Sequence, residues 1–229
     1  MTGLTFFYHL VKKLVSLSPA WLIRFRPFGV YQILLSKSDG TSLGMPYRRY
    51  ESRDELNCQV RWVKDSTEAA MLGRVAAHEN IASLNFTTRR AAAAWHEGEA
   101  IGCAWIATES FDERDLGLRF DLQPTDAWLF AAVVDPLRRQ QGVYGQLMEF
   151  IIEELGRSEV RRILLGVSVG NEPSRRAHVR HGATPIGSIV AVRSLGFTAC
   201  WRRGQVQILS ALPIAWRRPV RLAVKLSIL

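Results

Sequence analysis

The sequence predicts a mixed α/β (α+β) fold, on three observations. An apolar run over 127–134 is rich in β-branched and aromatic residues and stops at Asp135, which is typical of a buried strand. Residues 146–155 then carry apolar side chains at helical spacing. Two apolar segments joined by a glycine turn, within 91–108, predict a β-hairpin, and a further apolar strand is predicted over 163–169.

The other elements are predicted from shorter patterns. Alternation over 58–63 indicates a strand, and Asp65 begins a plausible helix. Residues 111–125 are charged and are expected to form a loop. Two closing strands are expected over 186–192 and 197–202.

The segment between the central strand and its helix is a basic turn that contains glycine. Arg138 and Arg139 precede Gly142 and Gly145. Glycine lets the backbone approach a ligand, and a helix N-terminus exposes unpaired N–H groups with a partial positive charge. The turn is therefore a candidate site for an anion such as a pyrophosphate. An ordinary connection with solvated arginines is the alternative, and the residues alone do not decide between the two.

Residues 134–148 resemble the acyl-CoA signature of the GNAT (Gcn5-related N-acetyltransferase) superfamily. In that family a Gln/Arg-x-x-Gly-x-Gly/Ala turn holds the CoA pyrophosphate by its backbone amides. The Gln/Arg position falls on Arg139 and the first glycine on Gly142. The second small residue falls on Tyr144, which departs from the pattern, and Gly145 comes one place later.

A second block follows the strand at 163–169. Residues 171–183 resemble the family's Asn-x-x-Ala/Ser-x-x-x-Tyr-x-x-x-Gly-Phe pattern, and the residues in register are Asn171, Ser174 and Gly182. His178 stands where many members carry a Tyr general acid. The resemblance covers roughly residues 58–200 and implies a mixed, mostly antiparallel central sheet with flanking helices.

The resemblance also implies a reaction and its residues. An amine would attack the thioester of acetyl-CoA or another acyl-CoA directly, with the backbone at Val133 and Val134 facing the thioester carbonyl. His178 would protonate the leaving thiolate, unless it is a surface or capping histidine. Asp126 is the candidate base, with a water chain as the alternative. The candidate cofactor-binding residues are Val133, Val134, Arg139, Gln140, Gln141, Gly142, Val143, Tyr144, Gly145, Asn171, Ser174 and Arg175. No metal is expected.

Two other functions remain open besides N-acyl transfer, which is most simply N-acetyl transfer. One is acyl transfer from a longer acyl-CoA or from acyl carrier protein at a membrane surface. The other is a non-catalytic GNAT-like binding module. The identity of the amine acceptor is not readable from the sequence.

The formal charge of +9 is unevenly distributed. Residues 1–50 carry +6, residues 51–172 carry −7, and residues 173–229 carry +10 without an acidic residue. This asymmetry suggests an anionic partner: the CoA phosphates, an anionic membrane surface or an acidic acyl carrier protein. Nucleic acid is not expected as a partner, because no helix-turn-helix, RNA-binding or zinc pattern accompanies the charge.

The chain divides into a basic amphipathic extension and linker over 1–57, an acyltransferase domain over 58–203 and a basic tail over 204–229. The first segment has a helical apolar stripe made of Leu4, Phe7, Leu10, Val11, Leu14 and Leu17. A second helical piece is expected over 20–26, ended by Pro27. The two basic ends can lie on a membrane surface, form a homodimer surface or cover the core.

Three scattered cysteines, Cys58, Cys103 and Cys200, include no C-x-x-C pair. They argue against a disulfide framework or a zinc site and for a reducing compartment. Cys103 and Cys200 lie in apolar runs and are expected to be buried. No apolar run reaches the length of a transmembrane helix. The expected location is therefore the cytoplasm, with peripheral attachment to the inner face of the membrane left open.

Overall fold

The computed structural model describes residues 23–35, 56–76 and 88–225. Its strands are β1 Ile23–Leu34, β2 Gln59–Trp62, β3 Arg89–His96, β4 Glu99–Ala107, β5 Ser110–Glu113, β6 Leu118–Asp121, β7 Asp126–Val134, β8 Arg162–Ser168, β9 Thr184–Ser194, β10 Phe197–Gly204, β11 Val206–Ile208, β12 Ile214–Trp216 and β13 Val220–Val224. Its α-helices are α1 Ser66–Met71, α2 Val143–Gly156 and α3 Glu172–Arg180.

The described strands form two sheets. The large sheet has the order β12-β10-β9-β1-β8-β7-β4-β3-β2, and the small sheet has the order β11-β13-β6-β5. In the large sheet β7 and β8 are parallel, whereas every other neighbouring pair is antiparallel. The predicted mixed, mostly antiparallel sheet with flanking helices is thus confirmed.

Local sequence signals explain the elements that were predicted correctly. The apolar run 127–134 is β7, and the helical spacing after it is α2. The hairpin is β3–β4, with its turn at Gly98, where φ is +82°. Asp65 caps α1 by accepting hydrogen bonds from the N–H groups of Thr67 and Glu68, both at 2.9 Å.

The large sheet is covered on both faces. Helix α2 packs its buried face, which includes Leu147 and Ile151, on one side of the sheet. The small sheet packs on the other side through an aromatic cluster in which Phe111 stacks on Trp128 at 5.1 Å between centroids, and Phe120 lies 4.2 Å from Trp128. Burial of these large side chains stabilises the two-sheet arrangement.

The prediction of a loop over 111–125 is wrong. This segment contributes to the hairpin β5–β6, in which Phe111, Leu118 and Phe120 are buried. Charged residues alternate with these apolar ones and pair with one another, as Arg119 does with Asp112 and with Asp121. The high charge therefore concealed the period-two pattern of a half-buried strand.

The helical piece predicted over 20–26 is wrong for residues 23–26. These residues begin β1, which lies between β8 and β9 in the middle of the large sheet. Burial of Phe28, Val30 and Ile33 against both layers outweighs the local helical pattern. The amphipathic stripe expected before this strand lies outside the described residues.

The described part of the tail is also a set of strands. Val220, Leu222 and Val224 of β13, a strand of the small sheet, are buried against residues of the large sheet, which supports the alternative that the tail covers the core. Residues 226–229 lie outside the described ranges. The division of the chain at residues 57 and 203 stays a prediction, although residues on both sides of these limits share the two sheets. No helix in the described ranges is long and apolar enough to cross a membrane.

Candidate active site

A gap opens between the two parallel strands of the large sheet. Strands β7 and β8 pair only from Asp126–Arg162 to Leu129–Leu165. Beyond Leu129, β7 stays with β4 as far as Val134, and β8 stays with β1. The separation coincides with an irregularity in the β4–β7 pairing and with Ala131, whose φ of +47° bends the strand.

The backbone of Val134 faces this gap. The N–H of Asp135 donates to the carbonyl of Ile101 at 2.9 Å, so Asp135 directs its polar groups at β4. Backbone directions alternate along an antiparallel strand, so the N–H and C=O of Val134 point to the other side and those of Val133 point to β4. The carbonyl of Val134 accepts from Nε of Arg139 at 3.4 Å. Of the two predicted residues, Val134 is therefore the one whose amide can meet a carbonyl in the gap.

Helix α2 begins at the end of this gap without a side-chain cap. Its N-cap is Gly142 in the left-handed region, with φ of +77°, whereas α1 and α3 are capped by Asp65 and Asn171. The first helical bond runs from the N–H of Gln146 to the carbonyl of Gly142, at 3.1 Å. The N–H groups of residues 143–145 have no acceptor within the helix, and such a helix end is suited to an anion.

The space around the turn is open on its outer side. A Cβ at Gly145 would meet no atom within 4 Å, and Arg139 and Gln140 are exposed. Gln141 is turned inward: its Nε2 donates to the carbonyl of Leu137 at 3.4 Å, and its own carbonyl accepts from the N–H of Leu56 at 3.1 Å. Gln141 therefore shapes the turn through its side chain.

Gln146 is a residue of this site that sequence reasoning missed. Its Nε2 donates to the carbonyl of Leu56 at 2.8 Å, and its Oε1 accepts from Sγ of Cys58 at 3.2 Å. These bonds hold the chain before β2 against the first turn of α2. They join residues about ninety positions apart, so no local signal indicates them.

Tyr144 and His178 bring the two predicted blocks into contact. The hydroxyl of Tyr144 lies 2.7 Å from Nδ1 of His178, and His178 is 6% exposed. Burial, together with the charge that His181 would carry, lowers the pKa of His178 to about 4. Burial raises the pKa of Tyr144 well above its ordinary value. At neutral pH the imidazole is therefore neutral and the phenol keeps its proton.

His181 completes this cluster and was not among the predicted residues. Its ring lies edge-on to Tyr144, with 5.8 Å between centroids, and burial lowers its pKa to about 4. A histidine three positions after His178 falls on the same side of a helix or its end, which is the one sequence signal that could have indicated it. The cluster presents two neutral imidazoles and one phenol.

The protein is expected to lose stability as the pH falls from about 6.5 to about 4. The pKa of both His178 and His181 is about 4 when folded, whereas an unfolded histidine titrates near 6.5. In this window the unfolded chain binds protons that the folded chain does not, so unfolding becomes easier by a few kcal/mol. Urea unfolding at a series of pH values measures the slope. The double variant His178→Gln/His181→Gln should have a smaller slope, and an equal slope in both proteins would contradict the assignment.

Asp126 is not part of this site. It begins β7, about 26 Å of strand away from Val134 at 3.3 Å per residue. It is 1% exposed, and its two oxygens accept from Nε and Nη2 of Arg162, at 2.9 and 2.7 Å. The prediction of Asp126 as the base is therefore not supported, because a buried, doubly paired carboxylate is a structural group.

The predicted residues of the second block make contacts within α3 and at its N-terminus. Oδ1 of Asn171 accepts from the N–H of Ser174 at 3.3 Å, which is an N-cap. Arg175 is exposed and pairs with Glu172 at 2.8 Å, and this contact lowers the pKa of Glu172. Arg175 is free to turn toward an anionic ligand because such surface pairs are weak.

The cysteines and other potential metal ligands of the described residues do not form a metal site. Cys58, Cys103 and Cys200 are reduced thiols, and Cys103 and Cys200 are buried, as expected. Within the described ranges, no three His, Cys, Asp or Glu side chains come together as metal ligands.

The site therefore combines a parallel strand pair that separates with a helix N-terminus whose N-cap is a glycine. The chain belongs to the acetyltransferase (GNAT) family, whose model matches residues 57–183. This match confirms the family resemblance found in the sequence. No curated protein matches the chain.

Solved structures are also similar to the chain. A GNAT-family protein from Novosphingobium aromaticivorans is 13% identical, with a TM-score of 0.50 over 75% of this chain and 66% of that one. A GCN5-related N-acetyltransferase from Kribbella flavida is 16% identical, with a TM-score of 0.47 over 82% of this chain and 64% of that one. The chain thus spans just under two thirds of the length of each.

Proposed function

We propose that the protein is an acyl-CoA-dependent N-acyltransferase that transfers an acyl group, most simply acetyl, from the CoA thioester to an amine. The observation that carries the proposal is the uncapped N-terminus of α2, with Gly142 at φ +77°, at the mouth of the gap between β7 and β8. The amides of 143–145 would hold the pyrophosphate, with Arg139 and Arg175 near its charges. The family match supports the same placement.

In this proposal the thioester lies in the gap with its carbonyl toward the N–H of Val134. That donor stabilises the negative charge that develops on the carbonyl oxygen when the amine attacks. The new C–N bond forms, the C–S bond breaks, and the CoA sulfur leaves as a thiolate. The amine loses its proton to water, since no carboxylate among the predicted residues is brought to the gap.

We assign the proton for the thiolate to the Tyr144–His178 pair. The phenol holds a proton throughout the neutral range, and its contact with Nδ1 of His178 fixes its position. His178 is neutral near pH 7, so it lacks the imidazolium proton that it was expected to give to the thiolate. Tyr144 stands where the family has a small residue. Its hydroxyl therefore approaches His178 from the turn at Gly142, which we propose binds CoA.

Tyr144→Phe is expected to lower kcat about 100-fold, the usual contribution of a general acid, while KM for acetyl-CoA changes little. The rate of the native enzyme should not decline between pH 7 and 9, because the raised pKa of Tyr144 keeps its proton in place. The steady-state rate of CoA release measures both the kcat of the variant and the pH dependence of the native enzyme. His178→Gln can still hydrogen-bond the phenol and should be milder. A fully active Tyr144→Phe beside an inactive His178→Gln would return the donor role to His178.

The proposal is tested by the melting temperature of the full chain with CoA, acetyl-CoA and a long-chain acyl-CoA. A ligand that binds only the folded state raises this temperature. A rise with acetyl-CoA, followed by CoA release when an amine is added, is the expected result. A preference for the long-chain donor favours the alternative acyltransferase, and acyl carrier protein is then the next donor to assay. Binding without turnover on any amine supports the non-catalytic module, and no shift with any ligand overturns the proposal.

The cellular setting belongs to the same proposal. Reduced cysteines support a reducing compartment, and we propose that the protein lies in the cytoplasm. A homodimer remains a prediction without a structural argument.

A further inference from the structure

One edge of the large sheet carries exposed aromatic side chains in register. On β10 and on the edge strand β12, Phe197 lies opposite Trp216 and Ala199 lies opposite Ile214. The rings of Phe197 and Trp216 stack at 5.9 Å. Trp201 lies on the same face of β10, four residues after Phe197. The exposed fractions are 53% for Phe197, 59% for Trp201, 56% for Ile214 and 55% for Trp216.

This arrangement follows from the alternation of the strand. Thr198 and Cys200 point inward and are buried under the small sheet, so the residues between them must point outward. Outward positions on an edge strand are commonly charged, because an apolar edge invites association. Here they are aromatic or branched. Single exposed apolar side chains are ordinary, but a contiguous group of four large ones marks an interaction surface.

Arginines flank this group. Arg203 lies near the end of β10 on the same side as Trp201, and Arg217 and Arg218 follow β12. The guanidinium of Arg217 lies 4.6 Å from the centroid of the Trp216 ring. The chain carries no acidic residue after Glu172, so no carboxylate of this part of the sequence offsets their charge. We call this surface the aromatic–arginine face: Phe197, Trp201, Ile214 and Trp216 with Arg203, Arg217 and Arg218.

A basic cavity of about 250 Å³ adjoins the face. Its charged lining residues are Arg114, Arg193, Arg217, Arg218 and Asp112. Thr198 and the glycines Gly117 and Gly196 complete its wall. Four guanidiniums against one carboxylate favour an anion of the size of a phosphate. Arg217 and Arg218 belong to both features, so the cavity lies beside the apolar group.

We propose that the aromatic–arginine face docks on an anionic lipid bilayer. Tryptophan and phenylalanine side chains are stabilised at the boundary between headgroups and acyl chains, and arginines beside them contact lipid phosphates. The cavity receives one headgroup phosphate. A second copy of the chain fits less well, because a symmetric contact through this face brings the arginines of both copies together. The proposal does not depend on the acyltransferase activity.

The test is co-sedimentation of the full chain with vesicles of phosphatidylcholine alone and with vesicles of equal parts phosphatidylcholine and phosphatidylglycerol. We expect binding to the mixed vesicles that weakens with salt. The variant Trp201→Ser/Trp216→Ser should bind both kinds of vesicle at least tenfold more weakly. Arg217→Gln/Arg218→Gln should lose about tenfold on the mixed vesicles only. Met71→Ser is the matched control, since Met71 is 51% exposed on α1, away from this face, and it should bind as the native chain does.

Several outcomes would overturn the proposal. One is the absence of sedimentation with the mixed vesicles, and another is equal binding to both types of vesicle. A third is unchanged binding in both double variants, which would show that any membrane contact lies elsewhere in the chain. A concentration-dependent dimer in solution that Trp201→Ser/Trp216→Ser abolishes would identify the face as an interface between copies instead. A normal melting temperature and a normal acetyl-CoA shift in the double variants establish that they are folded. A change in vesicle binding is then not a folding defect, whatever the outcome for catalysis.

Discussion

Gly142→Asp is expected to weaken acetyl-CoA binding about 100-fold more than Gly142→Asn does. Asp and Asn have the same shape, tolerate the left-handed backbone that Gly142 adopts at φ +77°, and are good N-cap residues. They differ by one negative charge at the point where we place the pyrophosphate. Repulsion between charges about 4 to 5 Å apart in a partly desolvated site is on the order of 1–4 kcal/mol. Isothermal titration with acetyl-CoA measures the difference.

The unliganded melting temperatures of the two variants supply the control. We expect them to agree within a few degrees, with Gly142→Asp equal or slightly higher because a carboxylate stabilises a helix N-terminus. Equal weakening of binding in both variants would show that the backbone conformation matters and the charge does not. Unchanged binding in both would remove CoA from this turn, and with it the main support for the proposed function.

Arg162→Met is expected to lower the free energy of unfolding by about 3–5 kcal/mol, because it leaves the carboxylate of Asp126 buried without its partner. Arg162 is 3% exposed and also donates from Nη1 to the carbonyl of Lys225 at 3.0 Å. The same side chain thus ties the start of β7 to the end of β13. Urea unfolding measures the loss, and the double variant Arg162→Met/Asp126→Leu should recover much of it, since it removes both charges.

The same pair distinguishes a structural from a catalytic role for Asp126. Asp126→Asn is expected to lose stability while its folded fraction keeps native kcat, because the residue lies at the end of β7 away from the gap. Turnover per folded molecule, at a temperature well below the melting transition, is the measurement. An inactive Asp126→Asn with native stability would restore the carboxylate as the base and contradict its structural assignment.

The sequence by itself determined the units whose signals are local. The apolar run of β7, the glycine turn at Gly142 and the helical spacing of α2 are neighbours in the chain, so periodicity and turn chemistry predict them. The block from Asn171 to Gly182 is similarly compact. Together these two blocks were sufficient to identify the family.

Only the tertiary structure decided how distant segments meet. It inserted β1 between β8 and β9, against a local helical pattern, because burial in the sheet outweighs propensity. In the folded chain Tyr144 contacts His178, which is 34 positions away. Asp126 pairs with Arg162, which is 36 positions away, and therefore lies outside the proposed site. Such contacts depend on packing and desolvation between residues far apart in the chain, and no local pattern records them. The outward aromatic edge of β10 and β12 has the same origin, since a strand pattern predicts two faces but not which neighbour covers each.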